Sequence, residues 1–167
     1  MRAGIALGSN LGDRLQNLCV ARARVLAING VGLPVKTSHI YETEPVGCEP
    51  GAAAFLNAVM EVEWSSYSTD ALLPELKEVE RAMGRPSRYP RNAPRIIDLD
   101  LLYIDDLMPS VEELTLPHPR MFERRFVLAP LAEISPELVL PGQTETVAKL
   151  LARLPAEPHV SLTTASF

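Results

Sequence analysis

No run of apolar residues in this chain approaches the length needed to cross a bilayer. Met1-Arg2-Ala3-Gly4-Ile5 enters a short apolar stretch without a signal-peptide pattern, so a cytoplasmic protein without membrane association is expected. Cysteine is scarce. Cys19 and Cys48 lie far apart, in neither a disulfide framework nor a metal-ligand spacing, and read as reduced thiols. Aromatic residues make up only 5% and the net charge is -5, a poor match to a surface for nucleic acid. The Gly-Lys-Ser/Thr of a P-loop is missing as well, and helix capping accounts for the turn Leu7-Gly8-Ser9-Asn10-Leu11-Gly12. What remains is 167 residues, 47% hydrophobic and 22% charged, which is enough for one domain, residues 1–167, with its own core.

Periodicity organises that domain. Residues 3–7 form a short apolar run closed by Gly8-Ser9-Asn10, which predicts a buried strand and its turn. Helical spacing follows over 11–28, with Asn10 or Asp13 as cap and Gly30 beyond the end. Strands are expected over 35–41, 55–64 and 96–104. A helix is expected over 71–83, capped by Thr69 or Asp70 and ended by Gly84. Residues 43–51 read as a loop, and Pro86, Pro90 and Pro94 forbid regular structure between the second helix and the last strand. The order is βαββαβ, an α+β arrangement with a mainly antiparallel sheet and helices on one face. Residues 126–134 and 144–154 read as further helical pieces, and from Pro155 onward as a loose tail.

The acidic average hides a local inversion. Arg81, Arg85, Arg88, Arg91 and Arg95 fall within fifteen positions that contain no lysine. Such a segment suits a small anion, because a guanidinium grips phosphate oxygens bidentately; it is also compatible with a solvated surface loop. Just beyond it stands Ile97-Asp98-Leu99-Asp100-Leu101. On a strand Asp98 and Asp100 share one face with Ile96 and Leu102, their Cα atoms roughly 6.5–7 Å apart, while Ile97, Leu99, Leu101 and Tyr103 share the other. Two carboxylates that close on partly apolar ground require compensation. Two sources fit: the neighbouring arginines in a structural network, or a divalent cation, for which hard oxygen ligands favour magnesium. Arg95, three residues before Asp98, adds what a magnesium–polyphosphate complex needs.

Two smaller features remain. His118 is held extended between Pro117 and Pro119 just before another arginine group, whereas His39 and His159 have no such company. Phe55 and Asn57, two apart on a strand, present a ring and an amide side by side. They fit a flat heteroaromatic ligand, or equally an ordinary core position with a satisfied amide.

The run Arg91-Asn92-Ala93-Pro94-Arg95-Ile96-Ile97-Asp98-Leu99-Asp100-Leu101-Leu102 resembles the signature of the 6-hydroxymethyl-7,8-dihydropterin pyrophosphokinases of folate biosynthesis. The resemblance extends over nearly the whole chain, through Leu7 to Gly12, Tyr41-Glu42-Thr43-Glu44-Pro45-Val46-Gly47, Phe55-Leu56-Asn57-Ala58, and Leu116-Pro117-His118-Pro119-Arg120-Met121 on to Arg124-Arg125-Phe126. It implies a ferredoxin-like fold, ATP as co-substrate and two Mg2+ ions held by Asp98 and Asp100. It also implies pterin binding by Thr43, Val46, Phe55, Asn57 and Phe126, and nucleotide binding by Glu80, Arg85, Arg91, Arg95, Leu101, His118 and Arg124. The implied reaction is attack of the substrate hydroxyl on the β-phosphorus of ATP with loss of AMP. Arg85 and Arg95 would join the two acids as the catalytic set, in a protein expected to act as a monomer.

The chain departs from that pattern in places. Ser87 stands where an arginine can be, with Arg88 beside it as a substitute. Asn92 stands where a tryptophan can be, Pro119 where an aromatic can follow the histidine, and Phe55 in place of a tyrosine. The competing expectation is a non-catalytic βαββαβ module that binds RNA or a regulatory ligand.

Overall fold

The computed structural model describes residues 1–44, 53–65, 71–85, 93–111 and 114–167. Strand β1 (Arg2–Ser9) and strand β4 (Phe55–Trp64) are buried along almost their whole length. They are therefore central strands covered on both faces, as their near-continuous apolar runs require. The sheet runs β5-β1-β4-β3-β8, with β5 (Asp98–Ile104), β3 (Tyr41–Thr43) and β8 (Val160–Leu162), and β2 (Val31–Thr37) shares the β3 side of β4. Every named pairing is antiparallel.

Helices α1 (Arg14–Leu26) and α2 (Leu72–Ala82) cover the first face. There Leu18, Ala21, Val25, Leu72 and Leu76 pack on Ile5, Leu7, Leu99 and Leu101. Burying each such leucine stabilises by about 1.5–3 kcal/mol. The second face is covered too, which corrects the expectation of helices on one face only. Helices α3 (Arg125–Ile134) and α4 (Val147–Arg153) supply Val127, Leu128, Leu131 and Val147 against Val59 and Leu102. The physical reason is that Val59 and Leu102 leave an apolar patch which sequence spacing could not assign to a partner.

Local departures have local causes. α1 starts at Arg14 because Gly12 takes φ +67 and Asp13 is the cap, its Oδ1 accepting from Gln16 N at 3.0 Å; Leu11 stays exposed. The single strand expected over 35–41 is two strands. Between them the Ser38 hydroxyl accepts from Val59 N at 3.0 Å and so interrupts the ladder. Tyr103 changes face. Ile5 pairs Leu101 while Gly4 pairs Tyr103, so Leu102 is the extra residue of a bulge and the alternation resets after it. Tyr103 then lies across Gly4, where a Cβ would sit 2.2 Å from its ring, and its hydroxyl donates to the buried Glu61 carboxylate at 2.6 Å. Lys36 and Ser135 complete that pairing.

The tail also departs from expectation. Residues 160–162 are not loose but form β8 on the outer side of β3. Two short strands, β6 (Ser110–Val111) and β7 (Leu114–Thr115), make a separate hairpin.

The exposed edge of β5 is closed by two side chains and one backbone amide. Glu80 Oε1 accepts from Leu99 N at 2.7 Å, Lys77 Nζ donates to Leu99 O at 3.1 Å, and His118 N donates to Leu102 O at 2.8 Å.

Candidate active site

Register across the sheet assembles the site on its second face. Gly8 of β1 pairs with Asp98 of β5 on one side and Asn57 of β4 on the other, and Asn57 pairs with Tyr41 of β3. Directly opposed residues share a face, so Asp98, Gly8, Asn57 and Tyr41 form one row. With strands about 4.8 Å apart, the acid stands roughly 10 Å from the amide. Asp100 follows in the adjacent row opposite Ala6, and Phe55 sits opposite Thr43. Gly8 keeps the floor between them open. A Cβ there would meet Asn57 Oδ1 at 3.2 Å and Phe55 Cδ1 at 4.0 Å.

One end of the row is electrostatic. Arg85 donates to Asp98 Oδ1 at 2.8 Å, Arg95 to Asp98 Oδ2 at 2.6 Å, and Arg124 to Asp100 Oδ2 at 3.1 Å. The carboxylates are a quarter exposed, 24% and 27%, so solvent and a ligand can reach them. Burial alone would raise the Asp98 carboxyl, but the charges of Arg95, Arg85 and Lys77 outweigh it and hold the group below the ordinary carboxylate range. Burial pushes Glu80 upward, and Asp98 adds to that, while Lys77, the Leu99 N–H and Arg85 pull the other way. The Glu80 side chain is only 2% exposed, and its oxygens are engaged by Leu99 N, Lys77 and Arg85.

His118 is held below the usual imidazole range chiefly by burial; Asp100 opposes this and Arg124 and Arg120 reinforce it. Its Nδ1 accepts from Arg120 N at 3.2 Å, which leaves the proton on Nε2 of the neutral ring.

The other end pairs a buried amide and hydroxyl with aromatic side chains. Asn57 Nδ2 donates to Thr43 Oγ1 at 2.9 Å, and both residues are buried. The Asn57 Oδ1 and the Thr43 hydroxyl hydrogen are thereby oriented. Phe126 stands at the start of α3, with the Arg124 guanidinium 5.6 Å from its ring centroid. That guanidinium touches both the Asp100 carboxylate and the aromatic side of the site.

The structure thus brings together Asp98, Asp100, Arg85, Arg95, Arg124, Glu80 and His118 at one end and Thr43, Phe55 and Asn57 at the other. Leu101 points away: its side chain is 3% exposed and lies in the first-face core. Like Leu99 two positions earlier, it turns its backbone groups to the outer edge of β5, and only those can serve a ligand. Val46 and Arg91 lie outside the described residues, as do Ser87, Arg88 and Asn92 and the helix caps Thr69 and Asp70.

Three further residues matter that sequence reasoning missed. Gly8 is the floor, which a glycine near the end of a strand could have signalled. Lys77 closes the β5 edge beside Glu80. Asn10, read only as a helix cap, clips Arg95 in place: its Oδ1 accepts from Arg95 N at 2.7 Å and its N donates to Arg95 O at 3.1 Å.

Two carboxylates suit a magnesium site completed by substrate phosphates and water, since this ion is ordinarily held through one or two protein carboxylates. Among the described residues no group of three or more His, Cys, Asp or Glu side chains could form an all-protein cage. Arg95 Nε and Asn10 Nδ2 are buried donors without an acceptor among those residues, and an incoming phosphate oxygen matches the need of Arg95.

A family model described as 7,8-dihydro-6-hydroxymethylpterin-pyrophosphokinase (HPPK) matches residues 4–136. The chain is 46% identical over 132 residues to the 2-amino-4-hydroxy-6-hydroxymethyldihydropteridine pyrophosphokinase of Bacillus subtilis, covering 79% of this chain and 77% of that protein. It is 39% identical over 153 residues to the protein of the same name from Methylorubrum extorquens, covering 92% and 93%. Among solved structures, Plasmodium falciparum HPPK-DHPS with pteroate superposes with a TM-score of 0.71 at 16% identity, over 91% of this chain, a likeness of fold alone. This chain spans 42% of that longer one.

Proposed function

The chain belongs to the 7,8-dihydro-6-hydroxymethylpterin-pyrophosphokinase family, and we propose from that membership and from the site that it transfers a diphosphoryl group from ATP to the hydroxymethyl oxygen of 6-hydroxymethyl-7,8-dihydropterin, releasing AMP, as a step of folate biosynthesis. The observation that carries this reading is the row Asp98, Gly8, Asn57, in which an acid held by Arg85 and Arg95 stands across the glycine from the buried Asn57–Thr43 pair, with Asp100 in the next row.

Asp98 and Asp100 would hold two Mg2+ ions, whose chemistry is to neutralise polyphosphate charge and lower the pKa of a bound hydroxyl. Arg85 and Arg95 now neutralise Asp98. With cations held at Asp98, both guanidiniums would be available to stabilise charge on the phosphates. Arg124 and the His118 Nε2–H add donors beside Asp100. Phe55 and Phe126 offer ring faces to the pterin, and Asn57 and Thr43 hydrogen-bond its edge, so that its hydroxymethyl arm is directed along the floor toward the acids. Val46 and Arg91 complete the pterin and nucleotide sets.

The alternative, a non-catalytic RNA-binding module, needs an open sheet on which bases stack. Helices on both faces argue against that. Incubation with ATP, Mg2+ and 6-hydroxymethyl-7,8-dihydropterin tests the proposal. ATP consumption should require both the pterin and the metal, and should stop on chelation. Pterin-independent ATP binding indifferent to Mg2+ would overturn it.

A further inference from the structure

The segment beyond the family-matched residues 4–136 is where the fold carries something more. Strand β3 is three residues long and contains Thr43, whose hydroxyl accepts the Asn57 amide. A three-residue strand has little cohesion of its own. On its inner side it is held by β4, and on its outer side by β8. Val160 is opposite Thr43, Ser161 opposite Glu42 and Leu162 opposite Tyr41. The ladder ends in a double bond: Thr163 N and Thr163 Oγ1 both donate to Ile40 O, each at 2.9 Å.

Both ends of the strap are tied to the body. Arg125, next to Phe126, donates to Leu154 O and Pro155 O at 3.4 Å. Phe167 packs against the first-face core, with the Arg22 guanidinium 5.6 Å from its ring centroid. The segment expected as a loose tail is thus the outer wall of the strand that presents Thr43.

We propose that residues 160–163 are a positioning element for Thr43, setting affinity for the ring-bearing substrate without acting on the nucleotide half of the site. This rests on the reading of Thr43 and Asn57 as ring-binding residues. The separation of roles follows from strand order. β8 and β5 are the two edges of the sheet, four strand spacings or about 19 Å apart, and Asp98 and Asp100 sit on β5. A disturbance at β8 reaches Thr43 directly and reaches the acids only through three intervening strands.

Alternation from the Thr163–Ile40 bond makes Ser161 and Glu42 the next hydrogen-bonded pair, so Ser161→Pro removes one ladder donor. The side chain of Ser161 is exposed, so Ser161→Ala should behave as the parent. Ser161→Pro should raise the KM and Kd for the pterin about tenfold, the upper scale for losing one such bond. The KM for ATP and kcat should stay within about twofold. Thr163→Ala, which removes a single hydroxyl, should give a smaller rise in the same direction.

Folded Ser161→Pro and Thr163→Ala proteins with parental pterin affinity would overturn the proposal. So would equal losses for pterin and ATP, or a Ser161→Pro chain unable to fold, each marking a general stability element. A parent that binds no pterin would instead overturn the function proposed above.

Discussion

Arg95 donates to Asp98 Oδ2 at 2.6 Å from three residues earlier on the same segment, while its own backbone is clipped on both sides by Asn10. Backbone and side chain of this arginine are therefore set independently, the one by Asn10, just past the end of β1, and the other by β5. The fork is aimed before any ligand arrives, so its loss should be felt in chemistry more than in folding. Arg95→Ala should lower kcat/KM by on the order of 10² or more, the scale for one preorganised charge-stabilising donor. Arg95→Lys should recover only part, because an ammonium is a point charge. Parental kinetics in Arg95→Lys would exclude bidentate recognition.

Asp98→Ala and Asp100→Ala should each remove most turnover and leave a folded protein. Both side chains are about a quarter exposed and contribute ligands rather than core volume. Circular dichroism and thermal melts would report the fold beside the activity. Near-normal turnover in a folded Asp98→Ala protein would sink the assignment of the metal site.

Much of this arrangement was legible beforehand, and the failures have physical causes. Strand 55–64 emerged with the bounds Phe55–Trp64, and the nearness of Asp98 to Arg95 was legible because the two lie three residues apart. Tyr103 was put on the wrong face because strict alternation cannot foresee the extra residue Leu102. Gly8, Asn10 and Lys77 were missed for another reason. Each acts on a residue far along the chain, and only the register of β1 and the docking of α2 reveal the pairing. β8 was hidden for the same reason: three residues among prolines carry no periodicity, and their partner lies more than a hundred positions away.

Glu80 should act through Arg85 and the β5 edge rather than by touching nucleotide, because its carboxylate is buried and engaged by three donors. Glu80→Gln keeps the shape and an acceptor for Leu99 N but removes the counter-charge of Lys77 and leaves Arg85 with Asp98 alone. It should cost about 1–3 kcal/mol of stability, the price of uncompensated buried polar partners. It should lower kcat with little change in the Kd for ATP. A variant that lost ATP affinity while keeping kcat would make Glu80 a nucleotide ligand instead.

His118 gives a pH signature. Its folded-state pKa is depressed, chiefly by burial, so between the folded value and the unfolded value near 6.5 the unfolded chain binds more protons. The stability this provides is fully present above about pH 6.5 and is lost as pH falls toward the folded value. The parent should therefore lose more stability between pH 7 and pH 5 than His118→Gln, in denaturant titrations at each pH. Parallel stability curves would mean that the imidazole titrates alike in both states.

The nucleotide product separates β-attack from γ-attack. A D-x-D pair and an arginine cluster can serve either. A kinase moving the γ-phosphoryl group releases ADP, whereas attack at the β-phosphorus releases AMP and carries two phosphates to the acceptor. The site offers no Walker lysine on a glycine loop to cradle β- and γ-phosphates. What it offers are guanidiniums on both oxygens of Asp98 and a third on Asp100, two residues further along β5. With ATP labelled at the γ-position, label should therefore appear in the pterin product, together with one equivalent of unlabelled AMP. Chromatographic separation of the nucleotides after a single turnover decides it. Stoichiometric ADP would overturn the assigned reaction and yet leave Asp98 and Asp100 as the metal site, because γ-transfer also needs a cation bridging the phosphates.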